Sequence, residues 1–321
     1  MPSVSSSDRH GRSRFGVASE PGTRPALFTR RSFLAGAAVS AAALSGVALY
    51  SNEVARHELE VTQQTFYLRN LPAPFDGFRV VQISDIHLDE FMEDFFLREI
   101  IERVNSLQAD LLLVTGDFVS RGPLPMSIAL AAAGRCAEML RNLHCPQRFG
   151  ILGNHDAMVG PRFIRQHMEA NGLPLLVNQT VLIERGGQHI FLGGLDDVSI
   201  GQPNLNMTVP ASPDAPVLLM CHEPDYADTI ARHPRGPLVD LIFAGHTHGG
   251  QVRLPGLPPL ELPPNGKIYV EGHFLVGNSQ LYVNRGVGTV GLPFRLNCPP
   301  EITVATLRRA PNADAAKQRS A

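Results

Sequence analysis

The stretch LIFAGHTHGGQVRLPG, Leu241 to Gly256, begins as an apolar run and turns abruptly into Gly-His-Thr-His-Gly-Gly. A short apolar run that ends on glycine reads as a buried strand. Where that strand leaves the core, two imidazoles one residue apart serve no packing purpose. The flanking glycines permit a tight turn and close backbone approach to another group. The segment therefore reads as a core strand whose C-terminal end carries chemically active side chains.

The same design recurs upstream. RVVQIS is followed by Asp85, Ile86 and His87; LLLVT by Gly116 and Asp117; GIL by Gly153, Asn154, His155 and Asp156; VLLM by Cys221, His222 and Glu223. Ligands in open α/β sheets sit at the C-terminal ends of strands. Residues i and i+2 of an extended segment share a face, so the spacing predicts that Asp85 and His87 reach one site together, as do His246 and His248. The donors are carboxylates, imidazoles and an amide. That set suits Mn, Fe or Zn, and two such ions need about seven protein groups. Each motif alone is unspecific: Asp-x-His is commonly a cap or surface feature, and a lone strand histidine commonly packs in a core. The inference rests on the order and strand-end placement of all five.

Further apolar, β-branched runs read as strands: QHIFLGGL, QLYVNRG and EITVATL. EDFFLREIIERVNSLQ places Phe96, Ile100, Ile101 and Val104 on one helical face. MSIALAAAGRCAEMLRNL and PRFIRQHMEANG also read as helices, and ERGGQHI as a hairpin turn. Early βαβ units followed by hairpins predict an α/β protein with mixed sheets covered by helices.

The motifs DIH (85–87), GD (116–117), GNHD (153–156), H (222) and GHTH (245–248) together resemble the calcineurin-like metallophosphoesterases, over about Leu71 to Leu307. The resemblance implies a four-layer α/β/β/α sandwich of two mixed sheets around a two-metal centre. It implies that Asp85, His87 and His248 hold the first ion and Asn154, His222 and His246 the second, with Asp117 bridging. His155 becomes the catalytic histidine and Asp156 the carboxylate that orients it. The implied reaction is attack on phosphorus by a metal-bridging hydroxide, between cations about 3.5–4 Å apart, with His155 assisting the leaving group. Arg121, four residues after Asp117, is either a phosphate contact or a solvated surface arginine. Ser120 stands where purple acid phosphatases carry a tyrosine ligand. His155 stands where cytoplasmic UDP-diacylglucosamine hydrolases carry arginine. GHTHGGQVRLPG, VNRGVG and NCPPEITVATL are instead similar to the membrane-linked or twin-arginine-exported phosphodiesterase branch.

The N-terminus agrees with export. Arg30 and Arg31 directly precede a short, Ala-rich apolar run from Phe33 to Tyr50, which resembles a twin-arginine signal. The run is close to the shortest that spans a bilayer, and no small-x-small cleavage site closes it, so residues 1–50 read as a signal or a membrane anchor. Arginines before the run and Glu53, Glu58 and Glu60 after it place the C-terminal bulk outside the cytoplasm. Residues 51–60 read as a linker, 61–309 as the catalytic domain and 310–321 as a disordered tail.

Composition sets the remaining bounds. The 321 residues are 44% hydrophobic and 18% charged, ordinary for a globular chain. A formal net charge of −2 supplies no basic field for nucleic acid. The four cysteines contain no Cys-x-x-Cys pair, which argues against a cysteine zinc site. The expected partners are a phosphoester, possible lipid linkage included, the twin-arginine export machinery and a membrane surface. Leu254, Leu257, Leu260 and Leu262, with the FMEDFF segment (91–96), either grip an acyl chain or pack beneath their loops. Two other functions fit the same motifs: a phosphomonoesterase for nucleotides or other small esters, and a non-catalytic metal-binding membrane protein.

Overall fold

A computed structural model describes residues 30–88, 91–123 and 125–311. The chain divides between Gly46 and Val47 into two units. Helix α1 (Arg30–Glu53) is long and apolar enough to cross a membrane, and its residues are exposed up to Tyr50. Residues 1–29 of the signal reading and 312–321 of the tail lie outside the described residues.

The second unit alternates strands and helices in the order β1 (Glu60–Leu68), β2 (Arg79–Ile83), α2 (Asp94–Ser106), β3 (Leu111–Val114), α3 (Met126–Leu140), β4 (Arg148–Gly150), α4 (Asn154–Val159) and α5 (Pro161–Ala170). There follow β5 (Gln179–Arg185), β6 (Gln188–Gly194), α6 (Leu205–Thr208), β7 (Val217–Met220), α7 (Ala227–Arg232), β8 (Leu241–Ala244), β9 (Gly272–Val276), β10 (Ser279–Val283) and β11 (Glu301–Arg309). Two mixed sheets result, ordered β1-β11-β2-β3-β4 and β5-β6-β7-β8-β10-β9. In the first, β11 runs antiparallel to β2, while β2, β3 and β4 are parallel. In the second, β6, β7, β8 and β10 are parallel, with antiparallel partners at both edges.

Strand alternation explains the layering. Leu111 and Leu113 of β3 face one apolar core, and Leu112 and Val114 face another. Leu218 and Met220 of β7 join the core shared with β3, whereas Val217 and Leu219 face a third. The central core lies between the sheets. The outer ones bury α2 and α3 on the first sheet, through Phe96, Ile100, Ile101 and Cys136, and α6 and α7 on the second, through Leu205 and Ile230. The α/β/β/α sandwich expected from the sequence is thus observed. Each fully buried Leu or Ile in these layers contributes about 1.5–3 kcal/mol relative to an exposed one.

All eight strands read from the sequence are present. The sequence pattern does not mark β1, β5 and β9 as strands, although the hairpin turn at 186–187 joins β5 to β6. The three are edge strands, with much of their length exposed. All four cysteines are buried. Gln82 on β2 joins the sheets at the working end, its Nε2 donating to Thr115 Oγ1 and to the Ala244 carbonyl, both at 2.9 Å.

Candidate metal centre

The loops after β2, β3, β4, β7 and β8 converge at that end. Asp85, His87 and His248 form one group of potential ligand atoms, Asp117, His222 and His246 a second, and His87, Asp117 and His155 a third; within each group the atoms lie within 4.8 Å of one another. Asp117 stands between the sets: its Oδ2 is 3.5 Å from His87 Nε2 and 3.2 Å from His222 Nε2. Asp85 Oδ1 lies 3.6 Å from His248 Nε2, and the Nε2 atoms of His87 and His248 are 3.0 Å apart. Asp85, His87 and His222 are buried, as are Asp117, His246 and His248. The Asn154 Oδ1 atom is buried without a hydrogen-bond partner.

The convergence does not come from strand alternation. β2 ends at Ile83 and β8 at Ala244, before the ligand pairs begin. Asp85, His87, Asp117, His246 and His248 all take left-handed backbone, with φ of 54°, 50°, 55°, 73° and 50°. Asp and His are among the few side chains that enter this region, and at a small cost that surrounding structure must meet. Backbone bonds meet it: Asp85 N–H donates to the Gly116 carbonyl and His87 N–H to the Asp117 carbonyl, while Gly288 N–H donates to the Asp85 carbonyl. The carboxylates bind neighbouring loops as well, Asp85 accepting from His246 N–H and Asp117 Oδ1 from His155 N–H at 2.9 Å. Glycine is required where loops touch. A Cβ on Gly153 would sit 2.7 Å from the Asp117 nitrogen, and one on Gly245 would overlap the Ser84 hydroxyl and the Asp85 carboxylate.

Hydrogen bonds select which imidazole nitrogen is free. A carbonyl only accepts, so His246 Nε2–H donates to the Pro264 carbonyl at 2.7 Å and His222 Nδ1–H to the Thr115 carbonyl at 2.7 Å. In the neutral rings His246 Nδ1 and His222 Nε2 keep their lone pairs. His87 Nδ1 meets Ser120 Oγ at 2.8 Å. Ligating histidines typically tie up their second nitrogen in this way. Burial pushes His87 down to about 3 and His246 to about 4, which keeps both neutral. Burial opposes a charge on His222 too, but the Asp117 and Asp85 carboxylates override it and hold its pKa well above the usual value. That corner calls for positive charge. The orphaned Asn154 oxygen, the His222 Nε2 without hydrogen-bond geometry and the thiolate-free donors all fit divalent cations.

His155 is held differently from expectation. Its Nδ1 accepts the Arg121 backbone N–H at 2.8 Å, which leaves the neutral ring's proton on Nε2. Its ring stands edge-on to His87, with centroids 4.8 Å apart. Asp156 is committed elsewhere: Oδ1 accepts from Phe118 N–H and Oδ2 from Gly153 N–H. It fastens the start of α4 to the loop after β3, so the orienting role expected of it falls to the Arg121 amide. The Arg121 side chain is exposed and its Nη1 donates to the Gly122 carbonyl.

Three residues take supporting roles that the sequence reading does not assign. Ser120 supports His87. The Pro264 carbonyl fixes His246. Arg295, fully buried, donates to the carbonyls of Arg285, Gly286, Gly288 and Cys298 and brings Nη2 to 3.3 Å from His248 Nδ1. Of the apolar residues flanking the site, Met92 and Phe96 pack in the core, whereas Phe95, Leu254, Leu257 and Leu260 are exposed.

Comparison with known proteins agrees with this geometry. The family model for calcineurin-like phosphoesterases matches residues 78–250. The chain is 36% identical over 291 residues to the uncharacterized metallophosphoesterase YkuE of Bacillus subtilis (strain 168), covering 87% of this chain and 98% of that one. It is 31% identical over 287 residues to phosphodiesterase YaeI of Escherichia coli (strain K12), covering 88% and 100%. It is 27% identical over 315 residues to UDP-2,3-diacylglucosamine pyrophosphatase LpxG of Chlamydia trachomatis, covering 79% and 91%. The chain belongs to the calcineurin-like phosphoesterase family and is a metal-dependent phosphoric ester hydrolase.

Proposed function

We propose that the protein is a two-metal phosphodiesterase that acts outside the cytoplasmic membrane on lipid-type or cell-envelope phosphoesters. The observation that carries the two-metal reading is the pair of ligand groups, Asp85/His87/His248 and Asp117/His222/His246, with Asp117 between them. Asn154, His222 and His246 would hold one ion and Asp85, His87 and His248 the other, with Asp117 placed where it could serve both. Divalent ions bound there supply Lewis-acid polarisation of phosphoryl oxygens and acidify a water.

The chain's own residues do the rest. The Thr115 and Pro264 carbonyls fix the ring orientations of His222 and His246. Because Nδ1 of His155 accepts from the Arg121 N–H, the neutral ring presents Nε2–H, and it can offer that hydrogen bond to the departing oxygen.

The diester preference draws support from phosphodiesterase YaeI, and the lipid-type substrate from LpxG, whose name specifies a diacylated pyrophosphate. The location rests on Arg30, Arg31 and the apolar helix that follows, read as a twin-arginine signal or anchor. Mn, Fe and Zn all suit the ligands. The test compares hydrolysis of bis-p-nitrophenyl phosphate and p-nitrophenyl phosphate after EDTA stripping and reloading with each metal. Metal-restored preference for the diester is expected. Preference for the monoester would replace this reading with a phosphomonoesterase, and activity untouched by EDTA would reject the metal mechanism.

A further inference from the structure

The end of the apolar helix is built into the loops that carry the metal centre. Ser51, in the last turn of α1, is 3% exposed, and its carbonyl accepts the backbone N–H of Arg295 at 3.1 Å. The side chain of that same Arg295 reaches His248 and clamps the Gly286 and Gly288 carbonyls. A second tie comes from Arg56. Arg56 donates to the Asn52 and Phe91 carbonyls and to Glu93, in the loop that follows His87 and Leu88. His57 adds a contact from Nε2 to Glu93 at 3.2 Å. Ser51, Arg56 and His57 thus belong to the unit that carries the metal centre.

The exposed leucines belong to the same assembly. Leu296 N–H donates to the Gln251 carbonyl at 3.0 Å and Arg253 N–H to the Leu296 carbonyl at 2.9 Å. Gln251 Nε2 donates to the carbonyls of Val290 and Leu292. The loop after the His246–His248 turn and the loop that holds Ser51 thus form one paired ribbon. Leu254, Leu257 and Leu260 on the first loop and Leu292 on the second are 38%, 60%, 64% and 51% exposed. Tyr50, Leu49 and Val47, just before Ser51, are also exposed. Exposed leucines on loops tied through Arg295 to Ser51 match apolar groups that enter a bilayer interface.

We propose that α1 is a retained anchor and that Leu254, Leu257, Leu260 and Leu292 form a rim that docks on the lipid bilayer and holds the metal centre at its surface. The proposal rests on the extracytoplasmic, lipid-type reading above and adds the surface that delivers it. A centre seated there meets phosphoesters of lipid headgroups rather than soluble esters in bulk.

The test uses the full-length chain in vesicles of phosphatidylethanolamine and phosphatidylglycerol. A polarity-sensitive fluorophore is placed on Leu257→Cys, with Leu182→Cys on β5 as reference; the native cysteines are buried, so labelling is selective. The label at 257 should shift to the blue and brighten several-fold in vesicles, and that at 182 should not. No shift at 257 overturns the docking rim. The Leu257→Asp/Leu260→Asp double variant should lose roughly tenfold in hydrolysis of vesicle phosphoesters, with bis-p-nitrophenyl phosphate turnover unchanged. Equal loss on both substrates overturns the rim's role. Docking without hydrolysis of any vesicle phosphoester leaves the rim standing and rejects the lipid-substrate reading instead. The intact mass of the membrane-extracted chain should include α1; a mature chain that begins after Tyr50 overturns the anchor.

Discussion

Arg295→Met is expected to destabilise the catalytic unit strongly while touching no substrate. The guanidinium is fully buried and no carboxylate pairs with it among the described residues; backbone carbonyls surround it. Gly286 O also accepts from Glu301 N–H, but the carbonyls of Arg285, Gly288 and Cys298 accept from Arg295 and from no other donor the structure shows. Each buried carbonyl left unpaired costs about 1–3 kcal/mol, so three cost roughly 3–9 kcal/mol. Relief of the guanidinium's own burial returns part of this, which leaves a net loss of about 3–5 kcal/mol. At about 2–4 °C per kcal/mol for a domain of this size, Tm should fall by about 6–20 °C. The chain has no tryptophan, so far-UV circular dichroism of the full-length protein is the assay. Because Gly286 and Gly288 flank Asp85, the variant should also bind less metal. Arg295→Lys, whose point-like ammonium cannot span four carbonyls, should fall between. A Met variant within about 1 kcal/mol of wild type, or fully metal-loaded, would refute the argument, since mutational effects smaller than that need no buried network.

Other consequences follow from single contacts. Gly153→Ala forces a methyl against Asp117 and should lower metal content per chain by elemental analysis; full occupancy would show that the loop yields. Ser120→Ala removes the group on His87 Nδ1 and should weaken metal binding about 10–100-fold in a chelator competition; unchanged affinity would mean water replaces it. His155→Gln should lower kcat by about 10²–10⁴-fold with metal content intact. Asp156→Asn, by contrast, should lower Tm and leave the pH profile of turnover unchanged, because its carboxylate binds amides rather than His155; a shifted profile would return it to the proton path.

How far the sequence could be read depends on where physical signals are local. Buried strands such as LIFA and VLLM announce themselves by composition, and the side chains after them mark the site. The edge strand EVTQQTFYL does not, since only Phe66 and Leu68 are buried. Helix α4 leaves no mark in the sequence, because six residues are too few for a periodic signal. The pairing of Asp85 with His87 was expected for a reason that does not apply: left-handed backbone brings them together, and no hydrophobic pattern encodes φ. The resemblance gives Asp156 the role of orienting His155, whereas the amide on His155 Nδ1 comes from the β3 loop, 34 residues earlier. Arg295 ran against the rule that arginines lie outside, and its contact with His248 spans 47 positions.

The most direct test is a crystal of the manganese-loaded protein, with an anomalous difference map at the manganese edge. The account predicts two peaks, one among Asp85, His87 and His248, the other among Asn154, His222 and His246, with Asp117 touching both. A single peak, or two that Asp117 does not bridge, would contradict the two-metal centre.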